Sequence, residues 1–272
     1  MPLFNRFSNA LALYYYRIEN KIDKAITVYE DLLPRVERAI APDHPYRIEV
    51  VSNLAKNYLS AGRHRDAFVL LQDFLKGQSR KSDLLAARSV FFEACMAEND
   101  TVNAETTAFS QIASARERLE AGSLDLCNDL SESTAWLLRL EKWEVAEPLI
   151  RESLAIRQKL SALHWRTFDT QLTLAKCLRK QNRLAEANVL LDAAEVGLSQ
   201  FHDSSIFIRR QLFDSLMESG LPDSARQLAD LAVARANKFL KDPNARICEL
   251  EFASTCYVSL EEWGNQTGSV SK

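Results

Sequence analysis

The side chains most able to do chemistry are few and lie far apart along the chain. The sequence holds four histidines and five cysteines, without a Cys-x-x-Cys pair: His44, His64, His164, His202, Cys95, Cys127, Cys177, Cys248 and Cys256. A zinc site built from one segment needs ligands a few residues apart. We therefore expect the histidines to cap or pack helix ends and the cysteines to be reduced and buried, with no metal bound.

Motifs for nucleotide, hydride, acyl or metal-assisted chemistry are also missing. The sequence contains no Gly-x-x-x-x-Gly-Lys-Ser/Thr, Gly-x-Gly-x-x-Gly, Gly-x-Ser-x-Gly or His-Glu-x-x-His. Residues 77–82, Gly-Gln-Ser-Arg-Lys-Ser, lack the second glycine of a phosphate loop and a preceding strand, so we interpret them as a linker. The sequence therefore predicts a protein that is not an enzyme and needs no cofactor.

The charge balance excludes several classes of partner. Lys and Arg total 34 and Asp and Glu total 37, so the formal net charge is −3 and offers no general attraction to nucleic acid. No apolar run approaches the roughly 20 residues needed to cross a bilayer. The apolar stretch near the N-terminus is interrupted by Arg17 and Glu19 and has no cleavage site. We expect a cytoplasmic protein that binds neither nucleic acid nor membrane.

Any binding residues must be positioned by helices, because turn-forming residues are scarce. Glycine and proline number only seven each in 272 residues, too few for a sheet-rich fold. One pattern recurs: Leu54-Ala55-x-x-Tyr58, then Gly62, then Ala67-x-x-x-Leu71. Its spacing predicts two short amphipathic helices joined by a tight turn at Gly62.

The second helix of each predicted pair opens on a small residue. These residues recur about 40 positions apart, with one double interval in the series: Ala25, Ala67, Ala146, Ala187 and Ala225. The double interval between Ala67 and Ala146 predicts a degenerate pair within residues 82–120. Its first helix would hold Phe91, Phe92, Ala94 and Ala97, and its second would hold Ala108, Ile112 and Ala115.

This pattern resembles the tetratricopeptide repeat over roughly residues 5–240. The long interval, and the linker 41–45 (Ala-Pro-Asp-His-Pro) before Asn53-Leu54-Ala55, resemble the repeats of kinesin light chains. The segment 146–157 followed by 164–168 is similar to arrays appended to bacterial serine/threonine kinases, although no kinase domain is present. The resemblance implies a non-catalytic module for binding proteins.

One helix pair leaves an apolar face exposed to water, so the pairs must stack. We therefore predict an all-α fold, a right-handed α-solenoid of about six helix pairs with a capping helix from about residue 244 to 263. Asp242 is the expected N-cap of that helix and Pro243 its first residue. Residues 1–263 form one predicted domain, and residues 264–272 form a short polar, flexible tail.

The resemblance implies a concave groove lined by the first helix of each pair. The residues that it places there are mostly cationic or polar: Tyr14, Arg17, Asn53, Lys56, Arg139, Lys176, Arg179 and Arg210. Such a surface suits an acidic or C-terminal peptide through charge-assisted hydrogen bonds. Nearby carboxylates oppose this reading: Glu49, Glu132, Asp169, Asp214 and Glu218. Solvated helix faces that bind no ligand are the alternative for each residue.

Two other functions stay open from the sequence. The apolar first helix, with Leu3, Phe4, Phe7 and Leu11, suits a structural or self-associating array that docks on a second copy. The chain also suits a detached regulatory segment of a larger signalling protein. A concentration-dependent mass measurement separates self-association from partner binding.

The seam between paired helices gives a first test. In the predicted repeat, Ala187 faces Leu174 and Leu178, so Ala187→Leu overpacks the seam. We expect it to lower the free energy of unfolding by about 1–3 kcal/mol. Thermal unfolding measures the change, and an unaltered midpoint would show that the predicted helix pairing is wrong.

Overall fold

The computed structural model describes residues 3–78, 83–162, 164–200, 206–238 and 243–267. These residues form thirteen α-helices and no strand, which confirms the all-α helical-repeat class. The helices are α1 (Leu3–Arg17), α2 (Ile22–Ala39), α3 (Pro45–Ser60), α4 (His64–Lys76), α5 (Leu85–Ala97), α6 (Thr101–Arg118), α7 (Leu124–Arg139), α8 (Trp143–Ser161), α9 (Trp165–Lys180), α10 (Leu184–Gln200), α11 (Ile206–Glu218), α12 (Pro222–Lys238) and α13 (Pro243–Thr267).

The chain divides into two compact units, Met1–Lys142 and Trp143–Lys272. In unit 1 each helix from α1 to α7 contacts the next, and α3 also contacts α5. In unit 2 each helix from α8 to α13 contacts the next, while α11 also contacts α9 and α13. Both units therefore follow the same rule of sequential helix packing. No helix of the described residues is long and apolar enough to span a membrane.

A residue with positive φ stands at the turn inside each helix pair. There are six of these residues: Asn20, Gly62, Asn99, Glu141, Asn182 and Gly220. In five of the six turns, the second backbone N–H of the turn bonds the carbonyl five residues earlier, as from Arg63 to Tyr58 at 2.8 Å. This is the bond that closes a Schellman motif, which requires the left-handed conformation. Five of these turns join packed helices of the same unit and confirm five helix pairs, whereas the turn at Glu141 lies where the chain passes from unit 1 to unit 2.

A fully buried alanine lies five residues after every one of those turns. The series is Ala25, Ala67, Ala104, Ala146, Ala187 and Ala225. A methyl group there lets the second helix approach the first closely, and a larger side chain would have to displace buried neighbours. Ala104 is the member that the sequence pattern had not revealed. It confirms the predicted third pair, which is α5 and α6.

Two linkers start their following helices in the same way. His44 caps α3, with the backbone N–H of Tyr46 donating to His44 Nδ1 at 3.1 Å. His164 caps α9, with the N–H of Arg166 donating to its Nδ1 at 3.2 Å. This confirms the predicted capping role of these two histidines. His202 lies outside the described residues.

The last helix is longer than the sequence suggests. It begins at Pro243 and ends at Thr267, so its last turn extends into the segment predicted as a tail. Gly264 lies on this helix and is buried. Asp242 and residues 268–272 lie outside the described residues. The boundary between domain and tail stays a prediction.

Glu141 is the one acidic side chain in a left-handed turn of the described residues, with φ of +58°. A side chain with a Cβ is disfavoured there by about 1–2 kcal/mol, which glycine avoids at an entropic cost of about 0.5–1 kcal/mol. We therefore expect Glu141→Gly to raise the free energy of unfolding by about 0.5–1 kcal/mol in urea unfolding. The matched control, Glu132→Gly in the exposed interior of α7, should lower it by about 1 kcal/mol. If both variants were less stable than the parent, the left-handed backbone at Glu141 would not be strained.

Candidate functional site

Two first helices present the same exposed face. Helices α3 and α9 have the same length, and their burial follows the same pattern from Val50 and Thr170 to the end of each helix, 120 residues apart. Their outward residues follow the spacing i, i+4, i+7, i+11, which lines one side of a helix. We call these residues the exposed stripe: Glu49, Asn53, Lys56 and Ser60 in α3, and Asp169, Thr173, Lys176 and Lys180 in α9. The equivalent residues of the other first helices complete the stripe in each unit.

Lys56 and Lys176 occupy the same stripe position, six residues before the left-handed turn residue. Both are exposed, and neither ammonium group forms an ion pair or hydrogen bond with another described residue. Lys180, one turn beyond Lys176, is also exposed and without such a partner in that part of the chain. These ammonium groups are available to an anionic ligand, at little desolvation cost.

Arg139 is exposed on the stripe of α7, but its charge is already matched. Its guanidinium forms a two-pronged ion pair with Glu93 of α5, with Nη2 to Oε2 at 3.0 Å. The guanidinium also lies 4.9 Å from the ring centroid of Phe92. Its pKa is raised by the hydrogen bond to Glu93. Arg139 therefore joins the stripes of two neighbouring first helices instead of presenting a free charge.

Arg179 is held in a similar way in unit 2. Its Nη1 donates to Glu218 Oε2 at 2.9 Å, and its Nη2 donates to the main-chain carbonyl of Glu218 at 2.7 Å. Only 18% of its side chain is exposed. The guanidinium therefore caps the C-terminal end of α11, where a positive charge is favoured by the helix dipole. Arg179 ties α9 to α11.

The remaining unit 1 candidates differ in exposure. Tyr14 and Arg17 are exposed on α1, and Tyr14 hydrogen-bonds the carboxylate of Glu19, whose pKa is lowered chiefly by Lys21. Asn53 is half-buried beside Tyr29, whose hydroxyl donates to Asn9 Oδ1 at 3.0 Å. Tyr29 is buried, and burial raises the pKa of its phenol. Asn53 therefore supports the packing of α3 on α2 as well as lining the stripe.

Arg210 lies outside the stripe position that Lys56 and Lys176 share. It is ten residues before the turn residue Gly220, and Asp214 holds the equivalent place in α11. Arg210 is exposed and lines the cleft between α11 and α13. Burial raises the pKa of Asp214, and the nearby Arg210 opposes that shift. The structure therefore assigns Arg210 to a different edge of α11.

Nothing in this arrangement brings an acid and a base together for chemistry. Among the described residues, no group of three His, Cys, Asp or Glu side chains could hold a metal ion. Cys95, Cys127, Cys177 and Cys256 are buried, as predicted, whereas Cys248 is exposed on α13 and corrects that expectation. Burial raises the pKa of the Cys95 thiol to about 12, and the same holds for Cys256. These buried thiols are poor nucleophiles.

The sequence reasoning missed one residue on the stripe, Glu93. It lies in the degenerate third pair, six residues before Asn99. Counting back six residues from each left-handed residue would have found it, because the same count gives Tyr14, Lys56, Lys176 and Asp214.

Comparison with known proteins supports this fold. Residues 5–78 match the family model "Tetratricopeptide repeat". Over 97 residues the chain is 38% identical to "Signal recognition particle subunit SRP72" of Dictyostelium discoideum, an alignment that covers 35% of this chain. The matched part is 13% of the length of that relative.

Solved structures of similar fold include repeat proteins from two other sources. The kinesin light chain TPR-like repeats of Podosopora anserina superpose with a TM-score of 0.62 at 19% identity, covering 75% of this chain and all of that one. BtubC (BKLC) from P. vanneervenii gives 0.56 at 17% identity, covering 88% of this chain and 92% of that one.

The stability of alanine variants at Arg179 and Lys176 tests which of these two cations stabilises the fold. Arg179→Ala removes bonds to the end of α11, and we expect it to lower the free energy of unfolding by about 1–2 kcal/mol. Lys176→Ala, on the same helix, should change it by less than about 0.5 kcal/mol. Chemical denaturation compares the two variants, and equal effects would contradict the assignment.

Proposed function

We propose that this chain is a tetratricopeptide-repeat protein that binds an acidic peptide segment of a partner protein along the exposed stripe. Repeats of this family generally mediate interaction between proteins. The finer proposal is that Lys56 in unit 1 contacts carboxylates of a bound segment, and that Lys176 in unit 2 does the same at an equivalent position of its own unit. Arg17, Tyr14 and Asn53 would add contacts in unit 1.

The observation that carries this proposal is a lysine that recurs at one repeat position and has no ion-pair partner among the described residues. Two other cations of the first helices, Arg139 on the stripe and Arg179 beside it, are neutralised by carboxylates of neighbouring helices. Lys56 and Lys176 are instead exposed at the same repeat position without an ion pair to any described residue. An exposed ion pair adds little free energy because water screens it, but an exposed ammonium group adds specificity for an anionic ligand.

A display library of random dodecapeptides tests the proposal. We expect the full chain to enrich peptides rich in Asp and Glu, and we expect the double variant Lys56→Glu, Lys176→Glu to bind them at least tenfold more weakly. Raised salt should weaken binding to the parent protein, because the contacts are exposed ion pairs. Fluorescence anisotropy with one enriched peptide measures the affinity.

The matched control is Lys159→Glu, an exposed lysine on the second helix α8. It changes the net charge in the same direction without touching the stripe, so acidic peptides should bind it almost as well as the parent. Equal binding by the double variant and the parent would reject the stripe as the recognition surface.

Self-association is the second candidate, supported by Ile18, which directly follows α1 and has 71% of its surface exposed. Leu11 is half-buried, and the side chains of Leu3, Phe4 and Phe7 lie outside those described. Sedimentation of the parent protein over a range of concentrations separates this candidate, because a peptide-binding monomer keeps one mass.

Several sequence predictions stay predictions. They are the lack of catalysis and of a cofactor, the exclusion of nucleic acid and membrane as partners, and the cytoplasmic location. The chain spans about one eighth of the length of the curated relative that it matches. A regulatory segment of a larger protein is therefore a proposal of equal standing.

A further inference from the structure

A groove of about 740 Å³ lies in unit 1 between the second helices α2 and α4. Its floor is α3, through Val51, Leu54 and Tyr58. It is separate from the exposed stripe, because none of the stripe residues lines it. The lining residues of α4 run from Asp66 to Phe74, which is about 12 Å along a helix.

The middle of the groove is apolar. Its walls are Leu33 and Pro34 from α2, and Val69, Leu70 and Phe74 from α4. Val69 is 43% exposed although it is a large apolar side chain in the middle of a helix. An apolar side chain of a ligand would therefore remove both its own surface and that of Val69 from water.

One end of the groove holds buried polar atoms that lack partners. Arg47 Nε and Gln78 Oε1 are both buried and make no hydrogen bond to any part of the chain that the structure describes. The other nitrogens of Arg47 donate to Glu37 at 3.1 Å and to the carbonyl of Ile40 at 3.4 Å. Gln78 Nε2 donates to the carbonyl of Pro42 at 3.3 Å. These bonds hold one unused donor and one unused acceptor in fixed positions.

Pro34 adds a further acceptor on the wall. Proline has no N–H, so the carbonyl of Glu30 loses the helical bond that residue 34 would give it. Glu30 and Pro34 both line the groove. Unpaired buried donors and acceptors are costly, and a peptide main chain supplies both kinds of partner at regular intervals.

The rim selects the charge of the occupant. Four carboxylates line the groove, from Glu30, Glu37, Asp66 and Asp73, against two arginines. Arg63 pairs with Asp66 at 2.6 Å and with Glu30 at 3.4 Å, Arg47 pairs with Glu37, and Asp73 pairs with Lys76 outside the lining, so the lining keeps two more carboxylates than arginines. The lining therefore carries an excess of negative charge, which favours a cationic partner and disfavours an acidic one.

We propose that this groove binds a short extended segment of a partner protein that carries apolar side chains beside a lysine or arginine. About four extended residues cover the length of the groove, at about 3.3 Å each. Apolar side chains enter between Leu33 and Val69, the main chain bonds Arg47 Nε and Gln78 Oε1, and the cation meets the acidic rim. The site is independent of the acidic ligand proposed for the stripe.

A register-matched pair of substitutions tests the groove. Val189 of α10 is the equivalent of Val69, 120 residues on, and it is also exposed, at 67%. The probe is the same dodecapeptide display library, selected on the full chain. We expect a class of peptides with apolar residues and Lys or Arg, whose affinity falls at least tenfold in Val69→Trp and is unchanged in Val189→Trp.

A second variant keeps the test valid if tryptophan disturbs α4. Gln78→Met keeps the length of the side chain and removes the unused acceptor, and we expect it to weaken the same peptides about five- to tenfold. Circular dichroism and the thermal midpoint of each variant confirm folding. The stripe variant Lys56→Glu, Lys176→Glu should leave these peptides bound, so failure of one surface is distinguishable from failure of the other.

Three results would overturn the proposal. The first is a selection that yields no cationic apolar class. The second is equal binding of that class by the parent, Val69→Trp and Gln78→Met. The third is a change of mass in solution with Val69→Trp, which would assign the groove to contact with a second copy of the chain.

Discussion

The left-handed turn inside each helix pair is the constraint on which the other features depend. A residue with positive φ reverses the chain within one turn of helix, and a fully buried alanine follows five residues after each of the six turns. The turn fixes which face of the second helix meets the first, and the alanine sets how closely they approach. Because both are fixed, the outward positions of the first helices repeat as well. The exposed stripe is a consequence of that repetition.

Polar contacts between helices then determine which helices pack against each other. A cation directly after the turn bonds an acidic residue of the preceding second helix three times: Arg63 to Glu30, Lys142 to Glu105 and Arg183 to Glu147. Side chains of alternate helices also pair: the buried Asn9 of α1 donates to Glu49 of α3, and the buried Arg209 of α11 donates to the buried Glu249 of α13. Such pairs need not add stability, but a wrong neighbour would leave a buried polar group without a partner. The order of the repeats is thereby specified within each unit.

The fold could be predicted from the sequence further than the site could. Helix pairs depend on local spacing, so even the degenerate third pair was predicted within residues 82–120 and is present as α5 and α6. The state of each candidate cation depends on side chains from other helices. Arg139 bonds Glu93, 46 residues away, and Arg179 bonds Glu218, 39 residues away, and local periodicity carries no signal for such contacts.

The equivalence of Lys56 and Lys176 could be predicted from the sequence, since both lie six residues before a turn residue. Arg210 lies ten residues before its turn residue, so it lies on a different edge of its helix from Lys56 and Lys176.

The two candidate surfaces of unit 1 differ in charge, and this difference bears on how one small array can discriminate between partners. The stripe presents Lys56, and Arg17 lies beside it on α1, whereas the groove between α2 and α4 presents mainly carboxylates. A segment whose charge suits one surface is repelled by the other, and repulsion contributes to specificity as much as attraction does. Because α3 supplies both the stripe lysine and the groove floor, the two surfaces share a scaffold. They do not share contact residues. Each can therefore change its charge by substitution without disturbing the turn and alanine pattern on which the fold depends.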